Sequence, residues 1–199
     1  VEHAALLLRN AEDLECLAAL VLRYAESLHE QGRGRTILDW LESLPKDTLD
    51  IAPWLLYWAG ICKMPYNLSE SRAYLERSFG EFKKQKDPAG LYLSWAGIIN
   101  TYAYEFGDFS PVDKWISEID ALLIEYPRFP SRKIEAWVTY GMFTALVYRR
   151  PQHPDLPIWE QRLREIVLSL KDVKLQTAIS SPLLIYYAWM TGDLEKVSF

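Results

Sequence analysis

Apolar residues recur along this chain at helical spacing, and breaks interrupt them at intervals that suit stacked helix pairs. No other feature limits the fold as much. The breaks fall at Gly32-Arg33, Asn67, Gly107-Asp108, residues 151–157 and Gly192-Asp193. Their spacings lie in the range of roughly 34 to 47 residues that helical-pair repeats adopt. A small residue precedes each of four breaks: Cys62, Ala103, Ala145 and Ala188. The best internal match sets residues 101–109 against 186–194, with Tyr, Ala, Gly and Asp at the same offsets. One helix pair cannot bury its apolar face alone, so neighbours stack into a continuous core.

Local signals fit this reading. Residues 12–30 are rich in Leu, Ala and Glu, strong helix formers, and Gly32 follows as a helix-ending residue. Ile37, Leu38, Leu41 and Leu44 keep helical spacing up to Pro45. Pro53 suits the first turn of the next helix, where its missing N–H costs nothing. Another helix starts near Asn67, with Leu68, Leu75, Phe79 and Phe82 on one face, and a long helix follows Pro88. Ser110 is the expected cap of a helix whose stripe runs from Val112 to Tyr126, and Ser131 of one running to about Arg149. Residues 151–157 read as a stiff, non-helical linker. Pro182 marks a kink in a helix over about 175–190, and Gly192-Asp193 opens another. No segment shows the period-2 alternation of a strand. The expected fold is all-α: a single domain over 1–199 forming a right-handed superhelix, or solenoid, of antiparallel pairs. The pairs cover about 12–45, 52–86, 88–126, 131–172 and 174–199.

Composition narrows the function. Half of the 199 residues are hydrophobic and 25% are charged, which excludes a disordered chain. A net charge of -5 disfavours nucleic acid as a partner of this segment. Two cysteines cannot make a disulfide scaffold. No apolar run reaches the roughly 18 residues a membrane span needs. With no initiator Met, the sequence reads as an excised piece of a longer soluble, cytoplasmic protein.

The residues 30–45, Glu-Gln-Gly-Arg-Gly-Arg-Thr-Ile-Leu-Asp-Trp-Leu-Glu-Ser-Leu-Pro, resemble a hallmark of one family. It is the tetratricopeptide-like sensor region of MalT-type, LuxR-family transcription activators. There a helix ends in a Gly-Arg turn and the next reads Leu-x-x-Trp-Leu-x-x-Leu-Pro. A Pro-led helix like Pro53-Trp54-Leu55-Leu56 and one like residues 71–79 follow. The resemblance covers roughly 12–125 well. It departs at Met64-Pro65-Tyr66-Asn67, where the usual Gly turn is missing, and in the 151–157 linker. It implies a non-enzymatic sensor that binds a small effector or a regulatory protein. Its neighbours in the full-length chain would be a nucleotide-binding switch and a DNA-binding domain. The alternative is a tetratricopeptide-type scaffold holding a peptide in its groove.

Candidate chemistry is sparse. Gly32-Arg33-Gly34-Arg35 is either a phosphate cradle at a helix start or a plain helix–helix turn. Glu26-x-x-His29 has the spacing of a di-iron ligand pair but lacks the partners such a site needs, which favours a surface histidine. Cys16 and Cys62 read as small apolar thiols. No phosphate loop, Gly-x-Ser-x-Gly elbow or Cys/His signature occurs, so no catalytic residue, metal or cofactor is expected. Arg128, Arg132, Lys133, Arg149 and Arg150 form the one cationic cluster of note, suited either to an acidic partner or to ordinary helix ends. The aromatic residues stand out most, with eight Trp and twelve Tyr. Those on the first helix of each pair are expected to line the groove and stack on a ligand: Trp54, Tyr57, Trp58, Trp95, Tyr102, Trp137, Tyr140 and Tyr187.

Overall fold

The computed structural model describes residues 1–193 together with Glu195 and Lys196, and among these residues helix is the only regular structure. The elements are α1 (Glu2–Asn10), α2 (Leu14–Glu30), α3 (Gly34–Leu41), α4 (Lys46–Ile51), α5 (Pro53–Lys63), α6 (Leu68–Gln85), α7 (Pro88–Glu105), α8 (Val112–Glu125), α9 (Arg132–Arg149), α10 (Leu156–Ser169) and α11 (Val173–Ile185). A π-helical turn, Tyr186–Thr191, closes the series. The helix expected to open after Gly192-Asp193 runs into 194 and 197–199, which lie outside the described residues. The chain divides into two compact units, 1–101 and 102–199.

Several helix ends follow their sequence signals. Gly32 takes the left-handed conformation (φ 76°) after α2. Its N–H and that of Arg33 then bond back to the carbonyls of His29 and Leu28, a Schellman closure. Pro53 occupies the first turn of α5. The Asn67 side chain accepts from the N–H of Glu70, and the Ser131 hydroxyl from that of Ile134.

Other places differ from the reading. Helix α1 lies before the first expected pair, and the short α4 follows Pro45 directly. Ser110 does not cap α8: Asp108 accepts from the Ser110 N–H at 2.8 Å, and Pro111 holds the cap position with no side-chain bond. The 151–157 linker is partly helical, because Pro157 enters the first turn of α10, where proline is tolerated. Pro182 sits inside α11 and cannot donate to the carbonyl of Ala178. The Ser181 hydroxyl donates to that oxygen instead, at 3.4 Å.

The first unit is held by a tight crossing of α5, α6 and α7. Ser71 and Ser78 of α6 are fully buried. Their hydroxyls donate to the backbone carbonyls of Gly60 (2.8 Å) and Pro53 (2.9 Å) on α5. Since the one proton of Ser78 goes to Pro53, Ser94 of α7 donates to Ser78, at 3.1 Å. Leu75 lies between the two serines. It fills the space that side chains would otherwise take at Gly60 and Gly97. In the second unit α9 packs against α8, α10 and α11. Its residues are buried almost all round from Val138 to Val147, as expected of a helix enclosed by neighbours.

Lys86 ends α6 in the left-handed region (φ 54°), where a Cβ costs energy that glycine avoids. Lys86→Gly is therefore expected to stabilise the first unit by about 0.5–1 kcal/mol. A rise in the urea midpoint with unchanged slope checks this.

Candidate ligand-binding face

Helix α5 places Trp54 and Trp58 one turn apart, with Tyr57 between them. Both indoles are half-buried, while Tyr57 is 9% exposed. A row of ring contacts runs through them. His29 of α2 lies 5.9 Å from Trp58, Trp58 lies 5.1 Å from Tyr57, Tyr57 lies 5.6 Å from Trp54, and Trp54 lies 4.8 Å from Phe82 of α6. The last three are edge-on, the favoured geometry for ring pairs. Phe82 and Tyr57 thus anchor two indoles that still have surface to offer.

Polar groups stand beside this row. His29 is exposed at the end of α2, and Glu26, one turn earlier on the same helix, is exposed as well. Burial pushes the Tyr57 phenol far above its usual range, and the negative charge of Glu26 adds to the rise. Glu26 therefore lies within electrostatic reach of the ring row. Burial also pushes the Cys62 thiol up to about 12, which leaves it protonated and inert as a nucleophile. The face offers two indoles to stack on a ligand, with an imidazole and a carboxylate to orient it.

The other expected groove residues are placed differently. Trp95 has no exposed surface, and Tyr187, Tyr140 and Tyr102 are 1%, 5% and 7% exposed. This corrects the expectation that they line an open groove, because rings enclosed by neighbouring helices cannot stack on a ligand. The Tyr187 phenol donates to Glu160, and Trp137, half-buried, packs edge-on to Tyr140 at 5.6 Å. Helical spacing put all eight rings on first helices but could not say which side a neighbour covers. His29 and Glu26 are the additions here. The signal was their three-residue spacing, which sets both on one helix face.

The remaining candidates have structural partners. Arg33 pairs with Glu2, and Arg35 with Asp39 at 2.9 Å, so the Gly-Arg turn holds neighbours together. Among the described residues no group of three His, Cys, Asp or Glu side chains can hold a metal ion. No helix among them is long and apolar enough to cross a membrane.

Arg149 and Arg150 are both engaged by Asp113 in the first turn of α8. Arg149 Nε and Arg150 Nε each donate to its carboxylate at 2.8 Å. The bonds from Arg149 and Arg150 hold the Asp113 carboxyl below the usual carboxylate range. The folded chain thus binds this proton less readily than the unfolded chain does. The clamp stabilises in full above the unfolded pKa of about 4 and is lost as pH falls through the lower folded value. Asp113→Asn should be less stable than the parent in urea near neutral pH. The gap should narrow steadily below about pH 4.

The geometry defines an all-helical chain with one half-open aromatic face in its first unit. No family model, curated protein or solved structure matches it.

Proposed function

We propose that this chain is a non-enzymatic binding module, its helix pairs stacked in file as a right-handed, tetratricopeptide-like superhelix. In this reading it is the sensor segment of a bacterial transcription regulator of the MalT-type, LuxR family. It takes up a small effector or a regulatory protein and passes that state to nucleotide-binding and DNA-binding neighbours, which requires different affinities in two conformations. The family-like motif supports the assignment: Ile37, Trp40, Leu41 and Leu44 are all buried, and Pro53 opens α5 after the short α4. The observation that carries the binding role is the α2–α5 face. There Trp54 and Trp58 are half-buried on one helix, His29 lies 5.9 Å from Trp58, and Glu26 stands one turn before His29 on α2.

Groups of this kind suit a sugar-like ligand, whose apolar ring faces stack on indoles while its hydroxyls meet the polar edge. Titration with a panel of oligosaccharides should quench tryptophan fluorescence. Trp58→Ala should weaken the binding about tenfold or more, since buried aromatic anchors dominate such sites. A panel that leaves fluorescence and melting temperature unmoved would favour a peptide scaffold. Binding that survives Trp58→Ala unchanged would remove this face from consideration.

A further inference from the structure

We propose that Arg132 and Arg162, joined through Glu135 at the start of α9, form a docking site for an acidic segment of a partner protein. The first turn of α9 mixes charges. Partial positive charge at a helix start favours acidic side chains, and Glu135 answers it, but Arg132 and Lys133 come before Glu135. Arg162 of α10 reaches the same point. Glu135 accepts one N–H from each arginine, at 2.7 Å from Arg132 and 2.9 Å from Arg162. One carboxylate between two guanidinium groups leaves a positive surplus, in a chain whose net charge is -5.

Both arginines are held in place before anything binds. The Arg162 guanidinium lies 5.3 Å from the Phe129 ring and 5.5 Å from the Trp159 ring. Arg132 also donates to the Ser169 hydroxyl at 3.1 Å. A fixed, planar guanidinium loses little freedom when it meets an anion. Each carries five N–H donors, and the bonds above leave most of them unused. The two side chains are 51% and 38% exposed.

The two guanidiniums come from different helices and share one carboxylate, and both side chains keep exposed surface. A segment with spaced carboxylates answers both. The half-buried rings of Phe129 and Trp159 give an apolar residue of that segment a surface to lie on. The site lies in the second unit and does not depend on what the α2–α5 face binds.

The test measures binding of a labelled peptide of glutamates interrupted by one phenylalanine to the full chain at low salt. Its glutamine counterpart and inorganic phosphate are run alongside. The glutamate peptide should bind and the glutamine peptide should not, with affinity falling as salt approaches about 0.15 M. Arg162→Gln should weaken binding about tenfold or more. Glu135→Gln should strengthen it several-fold, because the built-in competitor is gone. A merely structural ion pair predicts no such gain. Equal binding by Arg162→Gln, weaker or unchanged binding by Glu135→Gln, or binding of phosphate with the peptide inert would each overturn the proposal. If Arg162→Gln does not fold, the Glu135→Gln result decides alone.

Discussion

Phe82→Ala should cost about 3–5 kcal/mol, the usual loss for emptying a buried phenylalanine site. Phe82 is fully buried, and Trp54 packs edge-on to its ring at 4.8 Å. The opposite wall is Gly90 of α7, where a Cβ would stand 2.3–2.4 Å from three carbons of the ring. Gly90→Ala should therefore destabilise as well, by about 1–3 kcal/mol, through overpacking. The two changes act on one space, so they should not add: with Phe82 removed, the new methyl enters the vacated volume. Urea unfolding of both single variants and the double variant measures this coupling. A double variant that loses the full sum would show that the ring and the glycine are independent.

The second large effect is expected at Leu75. This side chain has no exposed surface and sits where α5, α6 and α7 cross. A Cβ at Gly60 would lie 2.6 Å from its Cγ, and one at Gly97 would lie 3.1 Å from its Cδ1. Leu75→Ala should lose about 2–5 kcal/mol, toward the upper end if the crossing cannot collapse. Rigid helix backbones on two sides argue that it cannot. Thermal unfolding of the variant reads the loss directly, and a change below about 1 kcal/mol would mean that the crossing relaxes around the gap.

These two sites show where sequence reading stops. Stripes such as Val112, Trp115, Ile116 and Ile119 are legible because one face meets the core and the other meets water. Helix starts are legible where the capping atom is in the side chain itself, as at Asn67 and Ser131. Gly60, Gly90 and Gly97 carry no such mark. A glycine inside a helix looks like a weakness until the neighbour that needs its missing side chain is known. Ser71, Ser78 and Ser94 look like surface residues and are fully buried, because each finds a hydrogen-bond partner across a crossing. Lys86 gives no hint of its left-handed backbone.

The candidate face was legible to a similar degree. Trp54, Tyr57 and Trp58 were identifiable as a cluster from spacing alone. The enclosure of Trp95, Tyr140 and Tyr187 depends on which helices surround α7, α9 and the π-helical turn, and spacing says nothing of that. The cationic residues split for the same reason. Asp113 of α8 is far from Arg149 and Arg150 in the chain yet occupies both, and Arg162 joins Arg132 from another helix.

The paired serines of α6 have a mechanical consequence. Ser71 and Ser78 stand seven residues apart, as do the carbonyls of Gly60 and Pro53 that receive them. Two pins at matched spacing lock one rod against another. Sliding by a single residue would shear both at once and strand two hydroxyls without partners. A push delivered to α5 therefore reaches α6 undiminished, and the hairpin travels as one stiff lever.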